Sequence, residues 1–272
     1  MPGAQLPTFK GDRRRQLVVA GLRVTEIDYT AAMRGWHGGV GGLRFRFPVR
    51  GYYRETMRGV ERRIGTANVS FRGLDDMHYV SFGPGGSRLV LVLFSDSWRG
   101  HGAYDLLANQ EPDLDEAWSS LLIWKLYAAF TADDHGGALD VELLAHEFVD
   151  RAVDRARARA APSAPWVRRM RERLHEDPDA SMTLRDVAAD ADAHPTYAAR
   201  CFRAAHGCSV GEYRRRAQLS RACALLATGA ELADVAASTG FSDQAHFTRV
   251  FRRWMGTTPG RWRRSASGSG RS

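Results

Sequence analysis

The chain has 272 residues, a formal charge of +8 and 44% hydrophobic residues, enough for two domains with cores of their own. Its longest unbroken aliphatic and aromatic run, residues 89–94, is far too short to span a membrane. The charged N-terminus (Lys10, Asp12, Arg13, Arg14, Arg15) adjoins no apolar stretch of signal-peptide type, so the chain reads as cytoplasmic.

Lysine occurs only at Lys10 and Lys125, so nearly all positive charge is arginine. A GC-rich genome produces the same bias, so placement carries the information. From His194 to the end there are 13 Arg against 4 acids (Glu212, Glu231, Asp234, Asp243), the balance of a segment that meets a polyanion. Cys201, Cys208 and Cys223 have no metal-ligand spacing and read as reduced, packed thiols.

Residues 1–16 are polar and read as a frayed end. Residues 17–95 read as strands. Leu43, Phe45 and Phe47 alternate with Arg44 and Arg46, the period of a strand with two unlike faces. Residues 68–71, 77–82 and 88–94 are further short strands, with turns expected at Gly38-Gly39, Gly41-Gly42 and residues 83–87. Many short strands with glycine turns point to a small barrel or sandwich. After Asp113 the period becomes helical, first over Ala117, Leu121, Leu122, Leu126 and Phe130. A second helix carries Val141, Leu144, Phe148 and Val153. Two such helices can cap a barrel or form a dimer seam. Residues 155–165, small and interrupted by Pro162 and Pro165, read as a linker, after which a helix begins near Trp166.

A repeat follows. Leu184-Arg-Asp-Val-Ala-Ala189 recurs 48 positions later as Leu232-Ala-Asp-Val-Ala-Ala237. Each copy leads to Arg-x-Phe-Arg (Arg200 to Arg203, Arg249 to Arg252) and then to Gly207 or Gly256. The second copy is one residue longer between its turn and its Arg. A short helix, a turn and an Arg-bearing helix, built twice in a basic segment, is a tandem helix-turn-helix, and its partner is double-stranded DNA. Ser181 or Thr183 is expected to cap the first short helix, and Pro195 opens the first recognition helix. Residues 210–226 form one long helix with Tyr213, Leu219, Cys223 and Leu226 inward and Arg214, Arg215 and Arg216 largely outward. Ser242 is expected to cap the second recognition helix, with Phe247, Val250, Phe251 and Trp254 buried. Residues 265–272, rich in Ser and Gly, read as a disordered tail.

Residues 166–264 resemble the DNA-binding domain of the AraC-type (AraC/XylS) transcriptional regulators, most specifically over residues 234–263. The resemblance implies seven helices, with two helix-turn-helix units joined by the long one. It places base contacts on Thr196, Ala199 and Arg200, and on Gln244, Ala245, His246, Thr248 and Arg249. Ser242, Arg203 and Arg252 fall to phosphate contact or support. His194 stands where the family carries Ser, which weakens a cap, and Ala199 has no polar reach, so the first unit should read fewer bases than the second. The layout of the N-terminal half is similar to the cupin-like barrel and helices with which many such regulators bind a small effector and dimerise.

The expected fold is therefore α+β in two domains, a cupin-like barrel with a helical dimerisation segment and an all-α tandem helix-turn-helix. Its divisions are 1–112, a helical segment 113–160, a linker 161–165, the DNA-binding domain 166–264 and the tail. Trp36, Tyr52, Tyr53, His78 and Tyr79 with Arg44 and Arg46 could line a pocket for an aromatic or anionic effector. Each aromatic alone is more often barrel core, and the arginines are more often a wet outer face. No His-x-His pair marks a metal site, and no cofactor or catalytic residue is expected. A homodimer, and RNA polymerase as a further partner, complete the regulator reading. Its rivals are a barrel that only dimerises, a metal-dependent cupin enzyme fused to a DNA-binding domain, and a nonspecific architectural binder.

Overall fold

The structure is a computed structural model and describes residues 11–37, 43–57, 59–66, 68–72, 77–98, 106–107, 117–132, 136–158, 165–176, 184–190 and 193–267. The chain divides into two compact units. The break falls between residues 157 and 158, and residues 116–121 group with the second unit.

Among the described residues the first unit is built on seven strands: β1 (Asp12–Val19), β2 (Leu22–Tyr29), β3 (Arg34–His37), β4 (Arg44–Met57), β5 (Val60–Gly65), β6 (Ser70–Arg72) and β7 (His78–Phe94). They pair antiparallel in the order β1-β2-β7-β4-β5, with β3 on β7 and β6 on β4. Among the described residues this sheet is not closed, so the barrel expected from sequence is an open antiparallel sheet here.

Strand formation starts at Asp12, inside the end expected to fray. The turn expected at residues 83–87 is also absent, because β7 runs unbroken from His78 to Phe94. The glycines there accommodate a bulge instead of a reversal. The β4–β7 register slips between Pro48 and Arg50 and again between Gly51 and Tyr53. At that level a Cβ on Gly51 would lie 2.4 Å from the Gly86 carbonyl oxygen. Two backbones pass too closely for side chains, and the extra residues kink both long strands. The turns at Gly38-Gly39 and Gly41-Gly42 lie outside the described residues.

One face of the sheet is hydrocarbon. Phe45, Phe47, Phe71, Val90, Val92 and Phe94 are buried, and Phe148 stacks within 4.5 Å of Phe45 and 5.8 Å of Phe71. Phe148 belongs to α2 (Gly137–Ala158), whose Val141, Ala145, Phe148, Val149, Ala152 and Ala156 form one buried stripe. α1 (Ala117–Thr131) is mostly apolar, with Ser119, Ser120 and Thr131 buried among its hydrocarbon side chains. Its Tyr127 hydroxyl donates to Glu26 Oε1 at 2.7 Å and ties the helix to β2, while burial drives the phenol pKa far up.

The other face is polar and buried. Arg44, Arg46, Arg72, Glu55 and His78 are all under a tenth exposed. Glu55 takes hydrogen bonds from Arg46, from both the Nε and Nη2 of Arg72, and from Ser70 Oγ at 3.3 Å. Its Oε1 lies 3.4 Å from His78 Nε2, and Arg46 Nε donates to Tyr53 Oη at 3.0 Å. The alternation of Arg with Leu and Phe on β4 therefore marks two buried faces, not one wet and one dry.

The second unit contains seven helices among the described residues: α3 (Pro165–Glu176), α4 (Leu184–Asp190), α5 (Pro195–His206), α6 (Val210–Ala227), α7 (Leu232–Ser238), α8 (Gln244–Met255) and α9 (Pro259–Ser267). Pro165, expected in the linker, is the first residue of α3, where its missing N–H is harmless. Helix α2 extends to Ala158, and residues 159–164 lie outside the described residues. The expected tail is helical through Ser267 because Trp262 and Ala266 are buried.

Removing the charge from Glu55 would leave Arg46 and Arg72 buried without their shared carboxylate. Glu55→Gln is expected to cost about 3–5 kcal/mol, read as a lower urea midpoint for the sheet unit. Glu61→Gln, in a pair with Arg54 whose side chains are 64% and 54% exposed, is expected to cost less than about 1 kcal/mol.

Candidate nucleic-acid interface

The sequence repeat is a repeat of hydrogen bonds. Ala193 N donates to Ala188 O at 2.9 Å, and 48 residues on Phe241 N donates to Ala236 O at 3.0 Å. The next equivalent pair is 49 apart, with Ala198 N to His194 O and Phe247 N to Asp243 O, both 3.0 Å. The additional residue of the second unit is thus Ser242, inserted between the turn and the recognition helix. The 49-residue offset then holds to the far end, where Gly207 N donates to Arg203 O and Gly256 N to Arg252 O, with φ of +69° and +74°.

Each unit has its own core. In the first, Val167, Met170 and Leu174 of α3 pack on Phe202, Cys208, Tyr213 and Ala217. In the second, Phe247 meets Phe241 at 5.1 Å and Phe251 at 5.5 Å, and Phe251 meets Trp262 at 6.3 Å. Phe247, Phe251 and Met255 are buried as a stripe, while Val250 and Trp254 are only half-buried. Tyr213, Leu219, Cys223 and Leu226 point inward from α6 as expected.

With those stripes fixed, the outward residues follow. On α5, Thr196 and Arg200 are exposed, Ala199 is half-buried and Arg203 is exposed further along. On α8, Gln244, Ala245, Arg249 and Arg252 are exposed. Arg200 and Arg249 make no ion pair among the described residues. Two further expected readers are otherwise engaged. The Thr248 hydroxyl donates to Gln244 O at 2.8 Å, and the half-buried His246 bonds Ser242 Oγ through Nδ1 at 3.1 Å.

The helix starts differ from expectation. Ser242 is not the cap of α8. Asp243 is, accepting from His246 N at 2.6 Å, and Ser242 Oγ donates to its other carboxylate oxygen at 3.1 Å. These bonds, the His246 amide first, hold the Asp243 carboxyl below its ordinary pKa. Ser242 is the inserted residue, so Asp243 takes the place that His194 holds in the first unit. His194 does cap α5, accepting from Thr196 N at a long 3.3 Å. The caps at Ser181 or Thr183 lie outside the described residues. The Arg214–Arg216 run is half-buried rather than outward, and Arg215 lies over the Phe241 ring at 5.1 Å, its pKa lowered by burial and then by Arg214.

One exposed residue of the first recognition helix had escaped the sequence reading. Tyr197 is 50% exposed on the first turn of α5. Its signal was an aromatic residue outside the buried positions Ala198 and Phe202.

The residues expected to line an effector pocket separate into two sets, because neighbours on a strand face opposite ways. Arg44, Arg46, Tyr53 and His78 share the buried polar face, where His37 stacks on His78 at 6.0 Å. Burial, then Arg46 and Arg44, lower the His37 pKa to about 4. Trp36 and Tyr79 pair on the opposite face at 5.8 Å, and Tyr52 lies under Arg63 at 4.1 Å. Among the described residues no three His, Cys, Asp or Glu side chains assemble as a metal site, and no helix is long and apolar enough to cross a membrane.

The left-handed cap at Gly256 has no neighbour within 4 Å of a built Cβ, so a substitution there meets only backbone strain. Gly256→Ala is expected to destabilise by about 1–2 kcal/mol. Gly211→Ala, equally open but inside α6, is expected to stabilise by about 0.4–1 kcal/mol. Thermal unfolding of both variants checks the contrast.

Comparison with known proteins places this unit. A family model described as a helix-turn-helix domain matches residues 187–265. The "Probable transcription factor PqrA" of Proteus vulgaris is 39% identical over 69 residues, 25% of this chain and 57% of that protein. The transcriptional activator NphR of a Rhodococcus species is 37% identical over 32% of this chain and 26% of its own length. The transcriptional regulator Rob of Salmonella typhimurium is 35% identical over 34% and 32%. The chain thus spans little more than half of PqrA and about a third or less of the other two. Among solved structures, the C-terminal domain of AraT from Geobacillus stearothermophilus is 25% identical, covering 39% of this chain and 88% of that one, with a TM-score of 0.36. The AraC-like activator CuxR is 13% identical over 75% and 78%, with a TM-score of 0.42. Residues 187–265 are thus similar to the helix-turn-helix regions of these transcription regulators.

Proposed function

We propose that the chain is a sequence-specific DNA-binding transcriptional regulator and not an enzyme. The observation that carries this is the doubled turn. Two recognition helices of matching internal geometry each present an exposed arginine that has no ion pair among the described residues, Arg200 and Arg249, in the basic third of the chain. Arginine offers a guanine two parallel donors, and exposed arginine elsewhere on the unit supplies phosphate attraction. On this reading Gln244, Arg249 and Arg200 discriminate bases, Arg203 and Arg252 support or touch phosphates, and Thr248 and His246 shape the helix surface. Residues 166–264 then act as the DNA-binding domain, in a cytoplasmic homodimer that engages RNA polymerase at the promoter.

The same reading gives the first unit a small-molecule effector. It is supported by the buried polar face of Arg44, Arg46, Arg72, Glu55 and His78, a guanidinium-rich surface suited to an anionic group. The relatives NphR and Rob are named as an activator and a regulator, which favours control of transcription without choosing its sign.

Arg249→Ala is expected to lose roughly 1–3 kcal/mol of discrimination at one base pair. Arg203→Ala should weaken all sequences alike. Binding to a panel of single-base operator variants checks both, and uniform weakening by Arg249→Ala would exclude base reading. One chain should protect two short boxes about one helical turn, or about 34 Å, apart. A footprint with a single box per chain would contradict the tandem reading.

A further inference from the structure

The first recognition helix lacks the polar endowment of the second. Its start offers the exposed Thr196 and the half-buried Ala199 beside one long donor, Arg200. What it has instead is a ladder of rings. Trp166, in the first turn of α3, packs against the first core. Tyr197 meets it with ring centroids 6.4 Å apart. The Arg200 guanidinium lies over the Tyr197 ring, 5.5 Å from its centroid.

The spacing from Tyr197 to Arg200 is i to i+3, which puts both on one side of α5. A neutral aromatic face attracts a guanidinium through its quadrupole without neutralising it. Every donor of Arg200 therefore remains available to a ligand, while the side chain is restrained before binding. The second unit has no counterpart. His246, at the position equivalent to Tyr197, turns edge-on to Phe241 at 5.5 Å, and no ring lies under Arg249 among the described residues.

The geometry points to Tyr197 as a positioning residue for base recognition, holding Arg200 through a Trp166–Tyr197–Arg200 chain of contacts so that the first helix reads one guanine. This rests on the DNA-binding reading above and goes beyond it by assigning the first box its one strongly chosen position. An arginine that must be ordered on binding loses rotamer freedom, and stacking it beforehand lowers that cost. The ring does the work, and the hydroxyl does not. Tyr197 is 50% exposed, so its truncation leaves the core of α5 intact.

The test is selection of full-length protein against a randomised double-stranded DNA library, followed by binding to single-base variants of the enriched site. Wild type should enrich two boxes. Arg200→Ala should lose about 10-fold or more of its preference at one guanine of the first box, the order of one bidentate contact. Tyr197→Ala should lose about 2- to 5-fold at that same guanine, the range of an exposed cation–π contact, and leave the second box unchanged. Tyr197→Phe should restore wild-type preference. In the double variant Tyr197→Ala should add nothing to Arg200→Ala, because its effect passes through the guanidinium. Additive losses, an unchanged guanine preference in Tyr197→Ala, equal loss across both boxes, or a Phe variant as poor as Ala would each overturn the assignment. If wild type enriched no sequence, the DNA-binding reading itself would fail, and that result is distinct from all of these.

Discussion

The C-terminal unit depends on one helix that has no solvent side along much of its length. Tyr213, Ala217, Gln218, Leu219, Ser220, Ala222, Cys223, Leu226 and Ala227 of α6 are all buried, more than a single stripe can hold. Tyr213 and Ala217 serve the first core. Further along, α6 packs against α7 and α9 of the second unit. A shared wall of this kind fixes the two recognition helices to one rigid element. The start of the wall is secured locally, since Ser209 and Glu212 form a reciprocal capping box, with Ser209 N donating to Glu212 Oε2 at 2.9 Å and Glu212 N to Ser209 Oγ at 3.2 Å. Arg215 then spans from this first part of the helix to the turn of the second unit by covering Phe241.

The N-terminal sheet meets a different constraint. Its hydrocarbon face is covered by α2 and part of α1, but the opposite face buries three guanidiniums, and burial of charge is tolerated only with partners. Glu55 is placed to serve Arg46 and Arg72 together, from a strand position directly across from Val80. The extra residue of β4 between Pro48 and Arg50 makes this possible, because it changes the phase of β4 between Arg46 and Glu55 and brings both onto one face. The register slip and the ion cluster are thus one feature seen at two scales.

What could be read from the sequence followed from what repeats or alternates. The tandem units were legible because the same turn is written twice, and the long helix because its inward positions keep one period. The turn expected at residues 83–87 failed because glycine marks close backbone approach as readily as reversal, and only the pairing partner decides. Arg44 and Arg46 could not be placed, because alternation of charge with hydrocarbon is the same for a wet face and a face closed by partners, and Glu55, Ser70 and Arg72 lie many residues away. The cap of α8 was missed by one residue for a related reason. Ser242 and Asp243 are both good caps, and the hydrogen bond that selects between them depends on where the turn ends. Tyr197 escaped because the family resemblance directs attention to the positions on either side of it.

That one-residue insertion also makes the two recognition helices electrostatically unlike. In the first unit the cap is a neutral-type acceptor, an imidazole nitrogen with a 3.3 Å bond from a single amide, and Pro195 at the first helical position has no N–H. In the second, a carboxylate with a depressed pKa occupies the equivalent place and closes on the His246 amide at 2.6 Å. A fixed negative charge there satisfies the amides that an incoming phosphate would otherwise use, and it repels that phosphate. The second helix carries Gln244 and Arg249 exposed in its first two turns, with Arg252 beyond them. The asymmetry comes from the position of one inserted residue and not from any difference in fold, since the hydrogen bonds on both sides of it are the same in the two units.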